Sequence, residues 1–172
     1  DSWFIKSTAM KDKMIALNKT INWQPPTTGE GRFGQWLENL IDWNLSRSRY
    51  WGTPLPIWRT EDASEEICIG SLEELKNEVE RSVKAGFMDK NPLADFKPGD
   101  FSKENYNVFD MHRPYVDDIV LVSASGKKMI REIDLIDVWF DSGAMPYAQV
   151  HYPFENKENF NQLFPADYIA EG

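Results

Sequence analysis

The sequence predicts an α/β fold in which one domain carries a smaller, β-rich insertion. Helical and extended patterns alternate along most of the chain, which is typical of α/β domains. Residues 59–133 interrupt this alternation with a predicted β-hairpin. Because 41% of the residues are hydrophobic and 13% aromatic, the chain can form a packed core, and disorder is not expected.

Apolar residues at helical spacing predict two helices near the beginning of the chain. The first covers residues 7–17, and Trp23-Gln-Pro-Pro26 then breaks the pattern. A second helix is expected from about Gly31 to Ser46, where the apolar side chains form a broad stripe. The prolines within residues 53–58 exclude a helix there and favour an extended segment.

Residues 59–133 are predicted to form a separate α+β unit. Residues 67–69 suit a short strand, and Ser71 with Glu74 forms a capping box for a helix that ends near Gly86.

A polar, loop-rich stretch follows at residues 88–110. A β-hairpin is then expected at residues 118–133, with Gly126 in its turn.

The last part of the chain returns to a more apolar pattern. Residues 135–140 are predicted to be a buried strand, followed by a turn at 141–143. A short helix is expected at 156–163 and another short strand at 168–170.

Composition and charge exclude several classes of protein. The formal net charge of −9 argues against a dedicated nucleic-acid-binding module, although not against a piece of a larger RNA-binding protein. No apolar run approaches the roughly 20 residues that span a bilayer, and neither a membrane nor DNA is an expected partner. The single cysteine, Cys68, fits a reducing, cytoplasmic location. The chain opens with Asp1-Ser-Trp-Phe4 and no initiator Met, and it stops directly after an apolar stretch at residues 166–170, so we expect an internal fragment of a longer protein.

Five blocks resemble, in order, the catalytic half of the large class I aminoacyl-tRNA synthetases. They are Trp3-Phe-Ile-Lys6, Gly31-Arg-Phe-Gly-Gln-Trp36, Ser46-Arg-Ser-Arg-Tyr-Trp-Gly-Thr-Pro-Leu-Pro-Ile-Trp58, Asp137-Val-Trp-Phe-Asp-Ser-Gly143 and Phe164-Pro-Ala-Asp-Tyr-Ile-Ala-Glu-Gly172. The fourth block, with Gly52-Thr-Pro-Leu-Pro-Ile-Trp58 upstream, is similar to the form found in the isoleucyl-tRNA synthetase family. The stretch Met145-Pro-Tyr-Ala-Gln-Val-His-Tyr-Pro-Phe-Glu155 resembles the eukaryotic-like branch of that family. The resemblance implies incomplete Rossmann-type catalytic segments with an inserted α+β connective-peptide unit.

The resemblance also implies a division of the chain and an activity. Residues 1–21 would end the editing-domain insertion, 22–58 and 134–172 would belong to the catalytic domain, and 59–133 would be the connective peptide. The full-length family enzymes activate isoleucine with ATP and Mg to isoleucyl-adenylate and transfer it to tRNA(Ile). Their His-Ile-Gly-His and Lys-Met-Ser-Lys-Ser signatures lie outside this segment, so the segment alone is expected to be inactive and to hold no cofactor.

Three residues are implied to bind substrate. A tryptophan such as Trp139 is usually a core residue, but the resemblance implies that it forms a wall of the isoleucine side-chain pocket, which suits a rigid indole. Glu171 is implied to contact the aminoacyl-adenylate through charge-assisted hydrogen bonds, and Gly172 to permit close backbone approach. No catalytic residue is assigned, because the substrate carboxylate itself attacks ATP. Asp137 and Asp141, on one face of the predicted strand, are expected to make structural hydrogen bonds.

Arg47 and Arg49 have two interpretations, both of which remain open. Beside Tyr50 and Trp51 they could contact tRNA by charge and stacking, or they could form structural ion pairs.

No metal site is expected. Zinc needs about four ligands, and Cys68, His112 and His151 lack ligand spacing.

Two alternative functions also remain open. One is a free-standing, synthetase-derived module that binds tRNA or protein. The other is a valine- or leucine-specific synthetase, which amino-acid-dependent pyrophosphate exchange by the full-length protein would distinguish.

Overall fold

The computed structural model describes residues 2–170, and these fall into two compact units, one ending at Ser46 and one beginning at Arg47. None of the helices in these residues combines the length and the apolar character needed to cross a membrane. The four functional segments that the family resemblance assigns remain a prediction.

The first unit combines helices with a small antiparallel sheet. Its elements in chain order are β1 (Phe4–Ile5), a 3-10 turn (Ser7–Met10), α1 (Lys11–Asn18), a π-helical turn (Thr28–Arg32), α2 (Phe33–Glu38) and β2 (Trp43–Asn44). β1 and β2 pair with each other. The helix predicted at residues 7–17 is confirmed as the 3-10 turn followed by α1.

The prediction that the second helix continues to Ser46 is wrong, because α2 ends at Glu38. Asn39 leaves the helical conformation, and its side-chain amide donates to the Gln35 carbonyl at 2.8 Å. Asp42 then accepts hydrogen bonds from the Thr8 backbone N–H at 3.1 Å and from the Thr8 hydroxyl at 2.6 Å. These bonds hold the chain beside the beginning of the unit, where β2 pairs with β1 instead of continuing a helix.

The second unit is built around a four-stranded antiparallel sheet. After β3 (Ser46–Arg47) at the boundary, the elements in chain order are β4 (Ile57–Thr60), β5 (Glu66–Cys68), α3 (Leu72–Lys84), α4 (Lys103–Tyr106), a 3-10 turn (Tyr115–Asp118), β6 (Val120–Val122), β7 (Lys128–Arg131), β8 (Leu135–Ile136), α5 (Val138–Ala148) and α6 (Phe160–Leu163). The sheet order is β5-β4-β7-β6. The extended segment before β4, the strand near 67–69 and the hairpin β6–β7 are confirmed.

α3 packs against one face of this sheet and forms the core of the unit. Leu75 and Val79 of the helix are buried with Trp58, Leu121 and Met129 of the strands. The Trp58 indole also donates to the Ile119 carbonyl at 2.8 Å, so its one polar atom is satisfied within the core.

The predicted cap of α3 is confirmed, with one difference. The Ser71 hydroxyl accepts from the Glu74 N–H at 3.1 Å, but the Glu74 carboxylate accepts from the N–H of Gly70 at 2.7 Å, one residue before the cap. The stretch 88–110 is loop-rich as predicted, and it is anchored to the core by Leu93 and Phe96.

Residues 135–140 are not the buried strand that the sequence predicts. β8 has only two residues, and α5 begins directly after Asp137, whose carboxylate accepts the Trp139 N–H at 3.2 Å as an N-cap. The expected turn at 141–143 therefore lies inside a helix.

Near the end of the chain, α6 covers only part of the predicted helix at 156–163. The strand predicted at 168–170 is wrong. Tyr168 and Ile169 are exposed and do not lie in a strand. A short apolar run forms a strand only where a neighbouring strand pairs with it.

Candidate functional site

Trp139 lies in the first turn of α5, and 68% of its surface is exposed. Val138 and Phe140 beside it are also exposed, and no residue of α5 is buried. The indole is therefore not a core residue within the described part of the chain. The beginning of α5 instead presents exposed apolar side chains, of which the Trp139 indole is the largest.

Asp137 connects this surface to the segment after β3. Its side chain is only 7% exposed and forms an ion pair between Oδ2 and Nη2 of Arg47. Its other oxygen, Oδ1, accepts from the Trp139 N–H at 3.2 Å. Arg47 thus forms an ion pair, as one of its two sequence interpretations predicts, and its guanidinium contacts the cap of α5.

Asp141 also connects α5 to the segment after β3, through a hydrogen bond. Its carboxylate oxygens lie 3.3 and 3.4 Å from the Thr53 hydroxyl, which donates to them. The sequence placed Asp137 and Asp141 on one face of a strand, which is wrong because Asp137 caps a helix and Asp141 lies in its first turn. Both carboxylates nevertheless make hydrogen bonds, as expected.

Arg49 belongs to a different environment from that of Arg47. It lines an open cavity of about 240 Å³ together with Tyr50 and Arg113. The Arg113 guanidinium lies 5.5 Å from the centre of the Tyr50 ring and donates to the Arg49 carbonyl at 3.3 Å. Next to it, the exposed Trp51 ring stacks on His112 at 4.5 Å. This surface combines cationic and aromatic groups, the groups that contact nucleotides.

A second cavity, of about 410 Å³, lies within the first unit and has no counterpart in the sequence predictions. Trp23 forms part of its wall, and its indole donates to Asn18 at 2.8 Å. The Asn18 amide in turn donates to the Gly29 carbonyl at 3.0 Å. A side chain at Gly29 would collide with the Trp23 ring, with its Cβ only 2.0 Å from the nearest ring atom. The close packing of Trp23 on Gly29 arises only in the folded unit, so the spacing of residues in the sequence does not predict this cavity.

The other groups that the sequence singles out are Glu171, Gly172 and the possible metal ligands. Glu171 and Gly172 lie outside the described residues. Between residues 2 and 170, no group of three or more His, Cys, Asp and Glu side chains is arranged to hold a metal ion. Cys68 is a free, exposed cysteine, and partial burial together with the nearby Glu74 carboxylate raises the pKa of its thiol. A raised thiol pKa disfavours the thiolate that metals and electrophiles require.

Comparison with known proteins gives one family and a consistent set of relatives. Residues 1–172 match the family model of tRNA synthetases class I (I, L, M and V). The chain is similar to isoleucine–tRNA ligases: it is 72% identical over 176 residues to that of Bacteroides fragilis, 70% over 174 residues to that of Porphyromonas gingivalis and 51% over 172 residues to that of Thermus thermophilus. Each match covers the whole chain but only 14–15% of the relative, so the chain spans about 15% of the length of the curated relatives it matches.

Proposed function

We propose a function for this chain from one premise: it belongs to the class I tRNA synthetases (I, L, M and V). Within that family, we propose that it is a segment of an isoleucine–tRNA ligase of the cytoplasm. The relatives support isoleucine over valine and leucine, because the three compared above, at 51% to 72% identity, are isoleucine–tRNA ligases. A free-standing binding module is not favoured by these matches.

The full-length protein would activate isoleucine with ATP and Mg to isoleucyl-adenylate and then transfer it to tRNA(Ile). Residues 22–58 and 134–172 would supply parts of a Rossmann-type catalytic domain, and 59–133 the connective peptide inserted into it. Neither a His-Ile-Gly-His nor a Lys-Met-Ser-Lys-Ser sequence occurs in the 172 residues. Without such phosphate-binding elements the adenylate-forming transition state lacks electrostatic stabilisation, so the isolated chain would be inactive.

The observation that carries this proposal is the exposed position of Trp139 at the start of α5. An indole held by a capped helix offers a large apolar wall at little cost in conformational entropy. Such a wall fits isoleucine and rejects larger side chains, but it discriminates weakly against valine, and the isoleucine–valine pair is the standard example of this limit.

Replacing Trp139 with Ala in the full-length protein tests the proposal. We expect the KM for isoleucine in pyrophosphate exchange to rise about tenfold to a hundredfold, because burying an apolar side chain contributes about 1.5–3 kcal/mol. The KM for ATP should stay unchanged. Trp36→Ala is the matched control, since Trp36 is an exposed tryptophan of the other unit. An unchanged isoleucine KM in Trp139→Ala would refute the assignment of this pocket wall.

Glu171 and Gly172 complete the proposed substrate site on sequence alone. A carboxylate at Glu171 would accept hydrogen bonds from the ammonium or ribose hydroxyl of the adenylate. Glu171→Gln should therefore weaken binding of a non-hydrolysable adenylate analogue, which isothermal titration of the full-length protein would measure. Equal affinity would remove Glu171 from the site.

Contact with tRNA is proposed for Arg49, with Tyr50 and Trp51, and not for Arg47. The support is the exposed aromatic surface beside Arg49, whereas the Arg47 guanidinium is engaged by Asp137. Arg49→Glu should weaken tRNA binding and lower the slope of log affinity against log salt by about 1. Arg81→Glu, on the surface of α3, is the control for a general change of charge. Identical salt slopes for the two variants would contradict the contact.

A further inference from the structure

We infer that Arg47 is a positioning residue for the isoleucine-binding wall: through its ion pair with Asp137 it fixes the first turn of α5 and thereby the orientation of Trp139. This inference rests on the proposed function, because it concerns the same pocket wall. Arg47 and Asp137 are 90 residues apart in the chain, and the fold brings them together.

The two oxygens of the Asp137 carboxylate have separate tasks. Oδ2 pairs with the Arg47 guanidinium, while Oδ1 accepts the Trp139 N–H at 3.2 Å. The Asp137 carbonyl also accepts the Phe140 N–H at 2.8 Å. A single side chain therefore receives a cation on one side and the first turn of the helix on the other, so a movement of Arg47 is transmitted to the residue that carries the indole.

Burial makes the cation necessary. The Asp137 side chain is 7% exposed, and a carboxylate removed from water is unfavourable unless it is paired. Removing Arg47 takes away the cation that contacts Oδ2, so the carboxylate that also accepts the Trp139 N–H is held less firmly. The Arg47 side chain is 34% exposed, so the cation is more accessible to water than the carboxylate that it contacts.

A second tether supports the same turn from the same direction. The Thr53 hydroxyl donates to Asp141, and the Thr53 carbonyl accepts the Ile136 N–H at 2.7 Å. The segment 47–53 thus contacts both the residue before the cap and the residue one turn after it. No residue of α5 is buried, and these polar contacts help to fix its first turn.

The consequence for the reaction is specific to the amino acid. A tilt of the indole changes the fit of a branched side chain but leaves the phosphate-binding elements untouched. Loss of Arg47 should therefore raise the KM for isoleucine and reduce the preference for isoleucine over valine in the activation step, while the KM for ATP stays constant.

The test is steady-state pyrophosphate exchange by the full-length protein with isoleucine, valine and ATP varied in turn. Arg47→Met should raise the isoleucine KM about tenfold, since small displacements of a positioned group cost up to about a hundredfold. Arg47→Lys, which keeps the charge, should restore part of the loss. Asp137→Asn keeps a side-chain oxygen that can cap α5 but loses the ion pair. The isoleucine KM of the Arg47→Met/Asp137→Asn double variant should therefore be no higher than that of the poorer single variant.

Arg131→Met is the matched control, because Arg131 forms another buried pair with an aspartate, Asp117, in the same unit. It should lower the yield of folded protein without changing the isoleucine KM or the isoleucine–valine ratio. If Arg47→Met behaves in this way, or if the losses of the two single variants add, Arg47 is merely structural and the inference fails. Trp139→Ala separates the two hypotheses. An unchanged isoleucine KM in Trp139→Ala overturns the proposed pocket wall itself. If the isoleucine KM rises in Trp139→Ala but is unchanged in Arg47→Met, only the positioning role of Arg47 is overturned.

Discussion

Arg131 is almost completely buried in the second unit, with 1% of its side chain exposed. Its guanidinium donates to the Asp117 carboxylate and to the carbonyls of Leu55 and Asp134, both at 3.1 Å. Arg113 donates to the other oxygen of Asp117 at 2.8 Å. Burial alone would raise the pKa of Asp117, but the bonds from Arg131 and Arg113 outweigh it and hold the pKa below its ordinary value.

We expect Asp117→Asn to lower the free energy of unfolding at pH 7 by about 3–5 kcal/mol, because it leaves the buried Arg131 unpaired. A depressed carboxyl pKa stabilises the folded state above the unfolded pKa of about 3.9, and this contribution is lost as pH falls through the folded value. The difference between the wild type and the variant should therefore shrink between pH 5 and pH 3. Urea unfolding of the chain at these pH values measures it. The exposed neighbour Asp118 provides the control Asp118→Asn, and a difference that is constant with pH would contradict the ion pair.

Sequence reasoning succeeded for residues whose partners are close in the chain. Ser71 caps α3 and Gly126 lies in the hairpin turn with a φ of +83°, because each depends on a few neighbouring residues. It could not find the partner of Arg47 or the burial of Arg131, which depend on residues brought together by the sheet. The sequence therefore identifies residues of the candidate site, but it does not reveal the ion pair between Arg47 and Asp137.

The hairpin β6–β7 is held at its tip by the turn that joins β4 to β5. Glu65 accepts hydrogen bonds from the hydroxyls of Ser123 and Ser125 and, at 3.2 Å, from the Ser125 N–H. Lys127 adds an ion pair to Asp62 at 2.7 Å. The Ser125 hydroxyl is the largest influence on Glu65 and holds the pKa of its carboxyl below the ordinary value. Charged and hydroxyl groups thus supplement the apolar packing of this hairpin, in which Leu121 and Met129 are buried.

Glu65→Ala should loosen the tip of the hairpin while leaving the core of the sheet intact. We expect faster hydrogen exchange of the backbone N–H groups at residues 123–127, because they lose the carboxylate that orders their hydroxyls, and unchanged exchange in α3. Glu61→Ala, an exposed glutamate of the same turn, serves as the control. Equal protection of 123–127 in the two variants would show that the Glu65 hydrogen bonds do not order the loop.

At the scale of elements, two of the errors of prediction share one cause. A continuous apolar run does not distinguish a strand from a helix, and the run Leu135–Phe140 was assigned to a strand. The Asp137 cap and its ion pair with Arg47 decide in favour of α5. In the same way, the apolar stripe after Phe33 suggests a long helix, but the Asp42–Thr8 hydrogen bonds stop it early. Both decisions come from residues distant in sequence.

Over the whole molecule, the described residues leave large apolar side chains exposed at α5 and near the end of the chain. Val138 is 65% exposed and Ile169 81%. Exposed apolar patches mark surfaces that other protein covers, and the chain spans only about 15% of the length of its relatives. We therefore propose that the rest of the full-length protein covers these side chains. On the isolated chain the exposed apolar side chains of α5, such as Val138, can contact a second copy.

Two opposing forces then act on the isolated chain, and salt distinguishes them. Apolar contact favours self-association, whereas the net charge of −9 opposes it. Raising the salt concentration from about 0.01 M to 0.15 M shortens the screening length from about 30 Å to 8 Å, so repulsion weakens and apolar association remains. We expect sedimentation velocity to show oligomers that increase with both protein and salt concentration. Val138→Lys should reduce them, while Leu17→Lys, at an exposed leucine of α1, should not. Oligomers that dissociate as salt rises would instead indicate ionic contacts and would refute an apolar interface at α5.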